Sequence, residues 1–129
     1  MSEQIRKAVN YWLKSAKRDQ EAANDLLKLK HYHWCLFMWH LVIEKVLKAI
    51  IAARNNEHLP IHDLVQLSKR AGLELSQDKI EMLAEATSFN LEARYDSYKR
   101  DFYKKATKEY TKKWAGRLDS LYQWLLKQL

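Results

Sequence analysis

The chain has 129 residues, 47% hydrophobic and 30% charged, and a formal net charge of +7. That length makes one domain, residues 1–129, with room for a proper core. With 2 Gly and 1 Pro, tight turns are scarce, and no apolar run approaches the roughly 18 residues of a membrane span. A single cysteine, Cys35, excludes a disulfide framework or a Cys-based zinc site within one chain. Residues 1–10, MSEQIRKAVN, lack the apolar core of a signal peptide, so a cytoplasmic protein is expected.

The first helix is expected over about residues 3–29. Trp12, Ala16, Asp19, Ala23 and Leu26 follow the steps of a bundle seam. Asp19 stands where a core residue belongs. It either meets water or a lysine at the seam edge, or is a buried carboxylate paired across the seam, with Lys48 as a partner. An unpaired buried charge would be too costly. Leu29-Lys30-His31 then breaks the helix.

Residues 31–54 form the central helix. Cys35, Met38, Trp39, Val42, Val46, Ala49, Ile50 and Ala53 share one broad apolar side, widened by Leu36, Ile43 and Leu47. Cys35 is expected to be a small buried thiol. The opposite side carries a narrow polar line of His33, His40, Glu44 and Lys48, facing a site, a partner or water. His33 and His40 are two turns apart, roughly 10 Å, too far to bind one metal ion directly. No metal site and no cofactor is expected. The apolar side is wider than one bundle would cover, which points to a dimer mate.

NNEHLP, residues 55–60, is a stop signal. A short helix follows over 61–71, with Leu64 and Leu67 facing inward and Gly72 at its end. Asp63 is a candidate cap for it. Another helix starts near Ser76, where Asp78 and Glu81 resemble a capping box. Its inner stripe is read as Ile80, Leu83, Ala84, Thr87 and Leu91, continued by Asn90 and Arg94. Residues 95–103 lack clean periodicity and are expected to be a connection. The last helix spans about 104–127, with Tyr110, Trp114, Leu118, Leu121 and Leu125 as its apolar stripe. The class is therefore all-α.

Charge is unevenly spread. Residues 1–98 hold 14 Lys and Arg against 13 Asp and Glu, whereas residues 99–129 hold 9 against 3. Tyr98, Phe102, Tyr103 and Tyr110 interleave with the basic residues of 99–117. Such a segment can neutralise phosphates and stack bases, or simply be a solvated helix face with its aromatics turned inward. Arg94 near a helix C-terminus suits helix-end electrostatics, or phosphate contact through paired hydrogen bonds with Asn90 assisting. Lys104, Lys105 and Lys108 are further candidates for phosphate.

W-L-x-x-A-x-x-D at Trp12–Asp19, E-K-x-x-K-A at Glu44–Ala49, H-D-L at His62–Leu64 and A-R-Y at Ala93–Tyr95 occur in an order and spacing that resembles the HEPN (higher-eukaryote and prokaryote nucleotide-binding) domain family. The resemblance implies an up-and-down four-helix bundle with one short extra helix. It also implies that Asp19, Glu44, Lys48 and His62 form a structural polar network, in which His62 bonds to backbone or to Glu44. Some members of that family are metal-independent ribonucleases that use Arg followed four to six residues later by His. The His serves acid–base chemistry and the Arg stabilises phosphate charge. Here no His follows His62, so that motif is absent and no catalytic residue is assigned. Other members accompany a minimal nucleotidyltransferase in toxin–antitoxin-like pairs, and this chain resembles that branch. The resemblance implies a non-catalytic, homodimeric nucleotide- or RNA-binding module. A divergent ribonuclease toxin and a purely structural dimerising protein are the alternatives.

Overall fold

A computed structural model describes residues 1–55 and 59–129. The chain runs through α1 (Glu3–Lys28), α2 (Tyr32–Asn55), α3 (Leu64–Arg70), α4 (Gln77–Arg94), α5 (Asp96–Lys105) and α6 (Lys108–Leu126). Four long helices build the bundle, and α3 and α5 are additions to it. Part of the stop at residues 55–60 lies outside the described residues, as does the place of Leu91 in the α4 stripe. Among the described residues no helix is long and apolar enough to cross a membrane.

The Ser2 hydroxyl caps α1 by accepting from the Ile5 amide at 3.2 Å. Val9, Ala16 and Ala23 recur every seven residues on its buried face. Two alanines in that row let α1 lie close against α2. The helix ends in a Schellman turn: the His31 amide reaches the Leu26 carbonyl at 2.8 Å, and the Lys30 amide reaches Leu27 at 3.1 Å. Lys30 holds the left-handed residue of that turn, at φ 65°.

The central helix α2 is covered almost all round by its own chain. Cys35, Leu36, Val42, Ile43, Val46, Leu47 and Ile50 are fully buried beneath α1, α3, α4 and α6. The width that pointed to a dimer mate is thus absorbed within one chain, so it is no argument for dimerisation. Burial pushes the Cys35 thiol up to about 12, which leaves it an unreactive core group.

Asp63 caps α3, accepting from the Gln66 amide at 3.1 Å. Thr87 of α4 accepts from the Leu64 amide at 3.0 Å and donates to the Leu83 carbonyl at 2.8 Å, which docks α3 on α4. The end of α3 repeats the Schellman pattern with Gly72 at φ 71°. Arg54 closes this end of the bundle. It donates to the carbonyls of Ala71 at 2.9 Å and Gln128 at 3.1 Å.

Two expectations about α4 are corrected. Its start is capped by the Ser76 hydroxyl, which accepts from Lys79 at 3.3 Å, rather than by an Asp78–Glu81 box. Its buried stripe is Leu83, Ala86, Phe89 and Ala93, while Ala84 is exposed. The helix is rotated by about one position from the expected phase, because Phe89 takes the core place. Arg94 is therefore exposed rather than on the inner side.

Residues 96–105 are a helix, not a connection. Tyr95, extended at φ −107° and ψ 127°, breaks α4 from α5. One buried ring anchors α5: Phe102, 1% exposed, stacks on Phe89 with centroids 5.8 Å apart. Lys104 and Lys105 accordingly belong to α5. The last helix starts only at Lys108, capped by Thr107, which accepts from the Tyr110 amide at 3.2 Å.

Candidate nucleic-acid interface

Three of the four residues in the polar line of α2 are buried rather than open, and His33 is half-buried. His40, Glu44 and Lys48 are 0%, 5% and 7% exposed. Glu44 is the hub: one oxygen meets Lys48 Nζ at 3.1 Å and the other lies 3.0 Å from His62 Nδ1. His40 donates from Nε2 to the His62 carbonyl at 3.0 Å. Lys48 also lies 5.3 Å from the Trp12 ring centroid. Burial lowers the pKa of His40, against the raising effects of the His62 bond and the Glu44 charge, so the ring is neutral at pH 7. The group ties α2 to the segment before α3 and to α1.

Asp19 is not part of that group. Its carboxylate pairs with Lys45, not Lys48, and both side chains are largely buried. Lys45 and Lys48 are three positions apart, so α1 meets them side by side, and Asp19 takes the nearer one. Among the described residues no cluster of three or more His, Cys, Asp or Glu could hold a metal ion.

The residues assigned to phosphate come from three helices and differ in how available they are. Lys105 is already neutralised: its ammonium lies 2.8 Å from Glu85 and 3.9 Å from Glu92. Burial would lower the Lys105 pKa, but the Glu85 hydrogen bond and the acidic charges outweigh it and raise it. It is a strut between α4 and α5 rather than an available ligand. Arg94 is exposed at the end of α4, with Asn90 half-buried one turn earlier. Lys104 and Lys108 are exposed.

Lys108 has company that sequence spacing does not show. A cleft of about 320 Å³ is lined by Leu27, Lys28, Lys30 and Tyr32 from the α1–α2 turn, and by Lys108 and Lys112 from α6. Four lysines contribute to its walls, and among the described residues no acid lines the cleft. The Thr107-capped N-terminus of α6 adds the positive end of its helix dipole. Sequence reasoning misses Lys28, Lys30 and Tyr32. The only signal there is L-K-L-K-H across a helix break, which spaces two lysines around a turn.

Aromatic rings follow the cleft residues in the chain, at the start of α2 and near the end of α5. His33 lies 4.9 Å from Trp34 and 5.3 Å from Tyr103, centroid to centroid. The Lys99 ammonium lies 5.4 Å from the Trp34 ring centroid. Tyr103 is 67% exposed and Trp34 37%. Phe102 turns inward, but its neighbours on α5 do not.

Comparison with known proteins agrees with this architecture. No curated protein matches the chain. The crystal structure of TT1696 from Thermus thermophilus is similar, with a TM-score of 0.79 at 19% identity. The match covers 94% of this chain and 98% of that one, and so shows a shared fold. The family model of the HEPN domain matches residues 9–129, nearly the whole bundle from the first buried valine onward. The chain belongs to the HEPN domain family, and is a nucleotide- or RNA-related helical module.

Proposed function

We propose that this protein is a non-catalytic, cytoplasmic HEPN module that binds the phosphates of a nucleotide or RNA. It works beside a minimal nucleotidyltransferase, in a toxin–antitoxin-like pair. The carrying observation is one cleft lined by Lys28, Lys30, Lys108 and Lys112 with no acid among its described lining residues. Four lysines on the walls of one cleft raise the local potential for an anion such as a phosphate chain. Lys104 on α5 and Arg94 at the end of α4 are further exposed basic residues. Arg94 remains the group best suited to a paired hydrogen bond to phosphate, with Asn90 one turn away.

The non-catalytic part of the reading rests on the absence of any His after His62, which removes the Arg-to-His ribonuclease spacing. His40 and His62 are committed to the Glu44 group. The partner would supply the chemistry, and a homodimer would present two such clefts.

The test is binding of labelled RNA and of nucleoside triphosphates over a salt series, with an RNA cleavage assay in EDTA run in parallel. Affinity that falls steeply with salt, without cleavage, supports the reading. Metal-independent cleavage abolished by Arg94→Ala would replace it with the ribonuclease alternative. A stable oligomer that binds neither ligand would leave only the structural one. Co-purification with a small nucleotidyltransferase tests the partner.

A further inference from the structure

Lysines alone would hold any polyanion, so the rings beside the cleft carry the more specific information. Tyr32 lines the cleft, and the next two residues of α2 are His33 and Trp34. On the other rim, Lys108 lines the cleft and Tyr103 lies five residues before it, across the α5–α6 junction. The ring group and the lysines therefore sit on the same two stretches of chain. Phe37 braces Trp34 edge-on at 6.0 Å, and His33 packs against Tyr103 with ring planes inclined at 61°. Tyr103, packed on His33 and 67% exposed, leaves ring surface free for a base, whereas Trp34, 37% exposed, already carries Lys99 and His33 beside its ring and offers less.

The charges nearby are mixed but favour an anion. Lys99 lies against Trp34, and Arg100 and Lys104 are exposed on α5. The acids on the same stretches are Asp96, Asp101 and Glu109, all exposed and none lining the cleft. A duplex hides the faces of its bases, whereas a single strand leaves them free to stack.

We propose that Trp34 and Tyr103, held by His33, stack the bases of a single-stranded polynucleotide whose phosphates occupy the Lys28–Lys30–Lys108–Lys112 cleft. The proposal rests on the phosphate-binding reading above and adds a strand requirement to it. Lys30 offers an unusually clean probe. Its backbone is left-handed, a conformation that glycine adopts without penalty, so Lys30→Gly removes a cleft charge while favouring the fold.

The experiment measures anisotropy of a short labelled oligouridylate, and of a blunt RNA duplex of similar length, over a salt series. Tyr103→Ala is expected to weaken single-strand binding about ten-fold, with Trp34→Ala similar, while duplex binding and the salt slope stay unchanged. Tyr103→Phe, which keeps the ring, retains wild-type affinity. Lys30→Gly reduces the salt slope by about one contact for either ligand. Equal affinity for single strand and duplex, or ring variants that bind like wild type while Lys30→Gly binds less well, would overturn the stacking proposal and leave the charge reading standing. Conversion of a dimer to a monomer by Tyr103→Ala, without loss of oligouridylate affinity, would reassign the rings to a second copy of this chain. Failure of the wild type to bind either RNA would overturn the phosphate-binding reading itself. Tyr103 is the more exposed of the two rings, so its variant remains informative if Trp34→Ala does not fold.

Discussion

Two groups of charge in this molecule differ in how they are balanced. Around Glu44, Lys48 and His62 each lie within hydrogen-bond reach of a carboxylate oxygen, and His40, the only fully buried histidine among the described residues, is kept neutral. At the α1–α2 turn, four lysines line one cleft without an acid among the described residues. The first arrangement is closed: its charges are spent on holding α2 to its neighbours. The second is open, and its unbalanced charge is available to something outside the chain. The contrast separates residues whose loss should be felt in stability from residues whose loss should be felt in binding.

The strongest way to break the closed group is Glu44→Ala. It strands Lys48 at 7% exposure and removes the acceptor of His62, and should destabilise the fold by about 3–5 kcal/mol in chemical denaturation. Asp19→Ala acts on a smaller, less buried pair and should cost about 1–2 kcal/mol by the same measurement, since Lys45 can turn toward water. An unchanged midpoint would show that the Asp19–Lys45 pair holds nothing.

Acid tests the neutral histidine. The folded-state pKa of His40 lies below its ordinary value of 6.5, so the unfolded chain takes up the proton first. Its contribution is present above about pH 6.5 and is lost as pH falls from there toward the folded-state value. Burial, with help from the Lys99 and His31 charges, shifts His33 the same way. The melting temperature should therefore fall over that window, and His40→Gln, which keeps a donor but does not titrate, should flatten the slope.

The open group should respond in the opposite sense. Lys30→Gly relieves a left-handed non-glycine residue and should stabilise the fold by about 1 kcal/mol, seen as a higher melting temperature. Gly72 shows what the same turn looks like without that strain. The smallest stability effect is expected for Lys108→Ala and Lys112→Ala, within about ±0.5 kcal/mol, because the side chains are exposed. A large loss of stability in either variant would erase the distinction between the groups.

The long helices are legible in the sequence because their apolar residues repeat and their ends carry caps and breakers. The α5 helix is not, because one anchoring ring, Phe102, makes no stripe. The α4 stripe is misphased because Ala84 and Ala86 are indistinguishable until Phe89 is placed in the core. Glu44 and His62 stand in the motifs that resemble the family, yet Asp19 finds Lys45, a choice between neighbours that spacing does not make. Lys105 looks like part of a basic surface, because its acids, Glu85 and Glu92, come from another helix. The cleft is hidden for the same reason. Residues 28–32 and 108–112 are brought together only by the packing of the α1–α2 turn beside α6.

The break at Tyr95 has a mechanical consequence. With helical dihedrals there, α4 and α5 would be one straight rod, and Tyr103 would be carried away from His33. The extended Tyr95 acts as an elbow, and α5 is the forearm, fastened by two bolts: Phe102 against Phe89, and Lys105 against Glu85. Phe102 also meets His33 edge-on at 6.4 Å, so the bolts that fasten the forearm also set the reach of the hand.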